Sequence, residues 1–406
     1  MSSPPPALLP ASAALDCILA ECTLLPVEMA AIPESLGRVL AMDVVAARTQ
    51  PPADNAAMDG YAVRSEDCRG VPTRLAVVDR LFAGSTPSRS LGPGESARIM
   101  TGAPVPPGAD AVVMQERTRA EGSHVELLEP VTPGQHVRPA GEDAREGELL
   151  LPAGTQLGLA EAGLLWGQGI LRVPVHRRPR VGVLSTGDEL VDPASPADGK
   201  ILDSNGPVLT AAAQRAGADA LHLGRCPDDP AALRAALEAA RHLDVVITSA
   251  GASVGERDHL RSVFQSLGAE ERFWRLAIKP GKPLLYARWG ATHLFALPGN
   301  PVSALVTFEL FVRPALRRLA GHATAAPTEF PGRTTAPLRK PAGMRHFLRA
   351  TVAWRDGAAW ATPLPTQGSG ALRSAAQATH LLVLPEDVTE RAPGDEVGLV
   401  PVNWLA

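Results

Sequence analysis

Three short segments combine small residues, carboxylates and stiff turns in ways that suit an anionic ligand. STGDELV (185–191) sets a hydroxyl pair and a glycine ahead of Asp188 and Glu189. TSAGASVGERD (248–258) is dense in serine and glycine, with Ser249, Gly251, Ser253 and Gly255 leaving the backbone open. Successive N–H groups in such a loop can turn toward an anion, and the following helix adds its positive end. Asp258 then stands at the helix start, placed for a divalent cation that bridges phosphate oxygens. ALPGNPVSA (296–304) flanks Gly299 and Asn300 with Pro298 and Pro301 and carries Ser303 into a first helical turn. IKPGKP (278–283) holds Lys279 and Lys282 between prolines, and fixed cations suit a tetrahedral oxyanion. Each segment also has a plainer reading: an acidic helix cap, a glycine turn, a rigid strand-to-helix link and a solvated lysine turn.

The elements that must position these segments follow an α/β grammar from residue 180. RVGVLST, ADALHLGR, DVVITS, PLLYAR and THLFALPG read as strands, with helices over 207–216, 230–241, 258–267 and 301–320. Alternation with short links predicts a parallel sheet covered on both faces, and ligands of such sheets sit at the carboxyl ends of the strands. Residues 45–175 instead show short apolar runs between Gly/Pro turns, which predicts a β-rich region with barrel character. The segment 327–406 repeats that pattern and reads as a small β domain. Residues 1–12, rich in Ser, Pro and Ala, are expected to be mobile. A helix follows, with Leu15, Ile18, Leu19 and Cys22 on one face, and a second helical stretch is expected over 33–40.

Composition narrows the function classes. The chain has 406 residues, which predicts several domains, and 45% are hydrophobic, enough for sizeable cores. A net charge of -4 argues against a nucleic-acid surface spread over the whole chain while leaving room for a local basic pocket. The four cysteines, Cys17, Cys22, Cys68 and Cys226, form no C-x-x-C pair, which argues against a disulfide framework or structural zinc. The start lacks a signal-peptide pattern and no apolar run reaches membrane-spanning length, so the expectation is a cytoplasmic protein with no membrane or nucleic-acid partner.

Further strings complete the set: DNAAMDGYAV (54–63), RIMTGAPVPPGADAVVMQE (98–116), GEDAREGE (141–148), GKILDSN (199–205), PDDP (227–230) and RHFLRA (345–350). In this order and spacing, across residues 13 to 400, the chain resembles the molybdopterin molybdenumtransferases, the bacterial MoeA type also represented by the E domain of gephyrin. One departure is that Ala250 and Ala252 stand where the family usually carries a glycine and commonly a valine.

The resemblance implies an elongated four-domain homodimer. Its parts would be a linker or dimerisation domain (13–50 and 145–178), a β-rich loop domain (51–144) reaching the partner's site, an α/β molybdopterin-binding domain (179–326) and a C-terminal β domain (327–406). It implies that molybdate and adenylylated molybdopterin are substrates and that AMP is released with Mg²⁺. Glu189, Asp228 and Asp258 are then the candidate Mg²⁺ ligands. Asp59, Thr101 and Asp143 would reach the site from the loop domain. Arg138 joins Ser249, Gly251, Ser253, Gly255, Pro298, Gly299 and Asn300 in holding the nucleotide-bearing pterin. Lys279, Lys282, Ser303, Arg349 and Ser369 would form the molybdate pocket. A molybdopterin adenylyltransferase and downstream molybdoenzyme maturation proteins are the partners it suggests. Two alternatives remain at this point: ATP-dependent adenylylation of molybdopterin, and a non-enzymatic scaffold.

Overall fold

The computed structural model describes residues 8–250 and 259–404. The chain divides into two compact units, one of Met1–Met29, Gly37–Ala41 and Pro174–Ala406, the other of Ala30–Leu36 and Met42–Val173.

The first unit contains a six-stranded sheet in the order Asp219–Cys226, Arg180–Thr186, Val245–Ser249, Thr292–Leu297, Leu285–Trp289, Glu270–Trp274. The first four strands are parallel. Their central members are buried at nearly every position because both faces are covered, and separate apolar clusters built around Val181 and Val183 and around Leu184 and Val246 fill the two sides. The expected parallel sheet carries an antiparallel extension at one edge. Leu285–Trp289 runs antiparallel to Thr292–Leu297, and Glu270–Trp274 antiparallel to Leu285–Trp289. Only Gly290 and Ala291 join the hairpin, and two residues cannot make a parallel crossover. Gly290 takes φ +59° there, a conformation glycine adopts without strain.

The helix expected over 301–320 is interrupted. Pro301–Thr307 and Arg313–Leu319 are α-helical, and Phe308–Val312 between them is a π turn. Pro314 supplies the reason: it lacks an N–H, and its ring clashes with the carbonyl four residues back in a regular helix. The wider turn relieves both. The helix expected over 33–40 shrinks to Ile32–Ser35, since Gly37 turns at φ +77° and Leu40 bridges Val175. The first helix, Ala11–Glu21, buries Ala14 and Ile18 against the same core.

The C-terminal strands Arg345–Arg355, Ala358–Pro363, Phe330–Thr334, Glu396–Pro401 and His380–Leu384 close into a ring, because His380–Leu384 pairs with both Glu396–Pro401 and Arg345–Arg355. Closure removes sheet edges. The ring takes in one strand from the α/β segment: Ile278–Lys279 pairs parallel with Arg345 and His346. Alternation along Arg345–Arg355 turns Leu348 and Ala350 toward the barrel core and Phe347 toward the core of the α/β sheet.

The second unit carries a six-stranded sheet in the order Ala111–Met114, Gly60–Val63, Glu95–Ile99, Thr73–Leu81, His124–Leu127, Thr118–Glu121. Apolar clusters cover both of its faces, with Tyr61, Val63 and Val113 in one and Ala62, Ile99 and Val112 in the other. Gly60 is dictated by close approach: a Cβ there would lie 1.8 Å from the Val113 carbonyl oxygen.

Candidate functional site

At the carboxyl edge of the parallel strands, three loops are tied together by side chains. Asn205 opens the helix Asn205–Arg215, and its amide donates to Ser249 Oγ at 2.7 Å and to the Gly299 carbonyl at 2.8 Å. One side chain thus holds the ends of the strands that finish at Ser249 and Leu297. Thr186 Oγ1 donates to the Ser249 carbonyl at 3.2 Å. The Ala250 N–H donates to the Leu297 carbonyl at 3.1 Å. Ala250 itself stands at φ +80°, in the left-handed region, where an L side chain is strained.

Two acidic loops meet on the neighbouring strands. The Asp228 N–H donates to Asp188 Oδ1 at 3.1 Å, and the Asp188 N–H donates to Asp228 Oδ2 at 3.4 Å. Lys200 Nζ donates to the Asp188 carbonyl at 2.8 Å. Glu189 is exposed, and its carboxylate folds over Gly187, where a Cβ would lie 2.5 Å from it. Carboxylate oxygens thus collect at the ends of adjacent strands, the donor type a hard cation takes. Among the described residues no three His, Cys, Asp or Glu side chains gather tightly enough to hold a metal. Gly251, Ser253, Gly255 and Asp258, and with Asp258 the third expected metal ligand, lie outside the described residues.

Arg349 is the most unusual side chain in this unit. It is fully buried. Nε donates to Ser374 Oγ at 2.9 Å, and Nη2 donates to the carbonyls of Thr366 and Gly368 at 2.9 and 3.0 Å. Nη1 is buried without a partner among the described residues. Among the described residues no carboxylate lies within ion-pairing distance, and burial pulls the guanidinium below its ordinary pKa. Gln367 clamps the backbone here, accepting from the Arg349 N–H and donating to its carbonyl. The same segment is tied to the third loop, since the Val302 N–H donates to the Ser369 carbonyl at 3.0 Å. Ser303, next in that helix, is buried. Arg349, Ser369 and Ser303 therefore belong to one connected region.

Lys279 is arranged differently. It is exposed, at the end of its strand, in register with His346. The register from His346 to Ala350 is regular, so His346 and Arg349 project from opposite faces of their strand. His346 is buried with Nε2 unpartnered among the described residues, and burial together with the nearby cations Lys279 and Lys340 pushes its pKa down to about 4. The imidazole is therefore neutral near pH 7 and sits beside two lysines. Lys282 is exposed on the same turn, and its carbonyl accepts from the Leu276 N–H.

In the second unit, the strings around Asp59, Thr101 and Asp143 converge. The Ala56 N–H donates to the Ala103 carbonyl, the Ala57 N–H to the His136 carbonyl and the Gly141 N–H to the Pro51 carbonyl. Asp59 Oδ1 accepts from both the N–H and the Oγ1 of Thr101, each at 2.7 Å. Those two bonds, the backbone one first, hold the Asp59 carboxyl below the usual carboxylate range although it is exposed. Asp143 is fixed through its N–H to the Gln50 carbonyl. Arg138 Nε donates to Glu142 at 2.6 Å in an exposed ion pair.

Several residues carry weaker signals in the sequence. Asp188 shares its string with Glu189, and Gln367 sits in no motif. Asn205 closes GKILDSN just ahead of the helix expected from 207, and Asn at such a position reaches neighbouring backbone. His346 lies within RHFLRA, but its burial depends on barrel closure.

Comparison with known proteins covers nearly the whole chain. Family profiles match residues 9–169 (MoeA N-terminal region, domain I and II), 182–318 (probable molybdopterin binding domain) and 331–402 (MoeA C-terminal region, domain IV). The chain is 39% identical over 377 residues to molybdopterin molybdenumtransferase 2 of Mycobacterium tuberculosis, covering 90% of this chain and 93% of that one. It is 37% identical over 380 residues to molybdopterin molybdenumtransferase of Haemophilus influenzae, covering 92% and 93%. A crystal structure of the molybdopterin biosynthesis MoeA protein from Pyrococcus horikoshii superposes with a TM-score of 0.82 at 34% identity, covering 98% of this chain and 99% of that one.

Proposed function

This chain belongs to the MoeA family of molybdopterin molybdenumtransferases, and from that membership we propose that it transfers molybdenum from molybdate to adenylylated molybdopterin, releasing AMP with Mg²⁺. The observation that carries the chemistry is Arg349, a buried guanidinium with an unfilled donor and no carboxylate partner among the described residues. A buried cation in that state is completed by an anion, and molybdate is a compact tetrahedral oxyanion. Ser303 and Ser369 stand in the same connected region, and Lys279 and Lys282 bring further positive charge from the proline-stiffened turn.

The pyrophosphate of the second substrate belongs at the strand ends. Asn205 fixes Ser249 against Gly299 there, so the loops that would receive the phosphates hold their spacing before substrate arrives. Glu189 and Asp228 would hold Mg²⁺ with Asp258, and the all-oxygen donor set suits that ion. Bound Mg²⁺ would neutralise charge developing on the phosphoryl oxygens. Asp59 offers an ionised, rigidly held carboxylate, and we assign it, with Thr101 and Asp143, to the substrate-facing loops of the second unit. A homodimer in the cytoplasm, with the loop domain serving the partner's site, is part of the same proposal. No helix among the described residues is long and apolar enough to cross a membrane, in keeping with it.

The test is turnover of adenylylated molybdopterin with molybdate and Mg²⁺, following AMP. Release of AMP that depends on both ions is expected. ATP consumption by the protein with unadenylylated molybdopterin would point to adenylylation instead, and absence of AMP release from a folded protein would overturn the reading.

A further inference from the structure

The broken helix creates a second basic region that the reaction does not use. The π turn Phe308–Val312 holds Glu309 in the interior, only 4% exposed. Its Oε1 accepts from Arg313 Nη1 at 2.7 Å and from the Asn403 side-chain amide. Two cavities, of about 250 and 220 Å³, lie on either side of this trio, and Glu309, Arg313 and Asn403 form a wall of both. Arg317 lines the larger cavity, and Arg215 the smaller.

Among the described residues, charge in these cavities does not balance: Glu309 is the one carboxylate lining either of them, and Arg313 already engages it. Among the described residues Arg317 has only two long hydrogen bonds, at 3.3 and 3.4 Å, to the Thr324 carbonyl. It is half-buried, and no ion pair reaches it among the described residues. Arg313 and Arg317 are four apart on one helix face, which sets their side chains side by side. Confining two guanidiniums in a partly desolvated cavity against one carboxylate costs free energy that a second anion would offset. Burial and the neighbouring Arg313 accordingly pull Arg317 below its ordinary pKa.

We propose that the larger cavity, between Arg313 and Arg317, binds a small oxyanion, either a carboxylate or a phosphate group carried on a ligand of few atoms. The volume sets the size limit, for it falls at the small end of ligand pockets. Arg317 provides the open donors, and the Glu309–Arg313–Asn403 trio fixes the wall against which the anion seats.

Calorimetric titration with malonate and with inorganic phosphate tests the assignment on the full-length chain. Wild type should bind at least one of them saturably. Arg317→Gln should weaken that binding roughly tenfold or more, and Arg317→Lys should recover part of it. A Lys279→Ala/Lys282→Ala double variant should leave it unchanged, which separates this site from the oxyanion pocket proposed for molybdate. Binding of malonate alone marks a carboxylate ligand, and binding of phosphate alone marks a phosphorylated one. The proposal falls if neither anion binds, if Arg317→Gln binds as wild type does, or if the double lysine variant is the one that loses binding.

Discussion

Asp59 in the second unit and Arg349 in the first carry opposite charges and are completed to different degrees. Asp59 is exposed, yet one of its oxygens already takes two short bonds from Thr101. Arg349 is sealed in the interior, yet one of its nitrogens finds no acceptor among the described residues. The first arrangement fixes a charge at the surface before any ligand arrives. The second stores an unmet demand that an anion can answer. A positioned group and a receiving group are thus told apart by their hydrogen-bond accounts, where charge alone would class both simply as ionised residues.

Replacing Arg349 should have the largest effect. Arg349→Ala takes the guanidinium donors from Ser374 Oγ and from the Thr366 and Gly368 carbonyls, which keep the Ser374 hydroxyl and the Ala371 N–H, and leaves a void, at a cost of about 3 kcal/mol in unfolding free energy. Molybdate-dependent AMP release should fall roughly a hundredfold or more. Arg349→Lys separates the two roles: it keeps the charge, should fold, and should raise the molybdate concentration for half-maximal rate about tenfold, because a point charge cannot reproduce the guanidinium fork. A molybdate response in Arg349→Lys equal to wild type would remove the unfilled nitrogen from substrate binding.

Asp59 is where the comparison sharpens. Asp59→Asn should lower turnover by roughly a hundredfold while leaving the thermal midpoint almost unmoved, since the side chain is exposed. Thr101→Val keeps the backbone donor and loses the hydroxyl, so the effect at neutral pH should be no more than about tenfold. The Asp59 carboxyl is held below its usual range by those bonds, so its ionised form persists as pH falls. Removing one bond raises its pKa, and the acid limb of the pH–rate profile should move to higher pH in Thr101→Val. An acid limb that stays in place would mean that another group sets it.

The two regions also differ in how far they could be read from sequence. The strand ends were legible because parallel-sheet strands are continuous apolar runs, and the loops after Thr186, Ser249 and Leu297 follow directly from them. The antiparallel hairpin at 285–297 shows in the sequence as the short link between PLLYAR and THLFALPG, which leaves no room for a crossover helix. What escaped depends on distant partners. Arg349 was named by resemblance, but its isolation from carboxylates follows from the segment 364–374 folding over it. The pairing of Lys279 with His346 requires a two-residue strand to join a barrel built from another part of the chain. Asn205 connects three loops far apart in sequence, and no local pattern reports that.

His346 offers an intermediate case, buried like Arg349 with one nitrogen unpartnered among the described residues, but neutral. Its folded pKa is about 4, below its ordinary value of 6.5, so between those values the unfolded chain binds more protons. Stability should therefore fall as pH is lowered from about 6.5 toward 4 and level off below. Because Lys279 is exposed and screened, the share owed to His346 should be no more than about 2 kcal/mol. His322, also near 4, and His293, near 3, add to the same slope. Denaturant midpoints measured across this window should decline less steeply in His346→Gln. Parallel curves for the two proteins would show that His346 keeps its ordinary pKa.

Ala250 carries the smallest effect and the finest test of how the strand-end loops fit. Its φ of +80° costs roughly 1 kcal/mol for a residue with a Cβ, and glycine would avoid that. The extra freedom of glycine in the unfolded chain takes back about 0.4–1 kcal/mol, so Ala250→Gly should stabilise by only a few tenths. A double-mutant cycle resolves what a single midpoint does not. A Cβ built on Gly299 would lie 3.2 Å from the Ala250 Cβ, a contact one of the two loops must yield to relieve. Gly299→Ala should therefore destabilise wild type by about 0.5 kcal/mol more than it destabilises the Ala250→Gly background. Additive costs would mean that the two loops do not touch through these atoms. Among the described residues, the spacing between the loops after Ser249 and Leu297 would then rest on Asn205 and the Ala250 backbone.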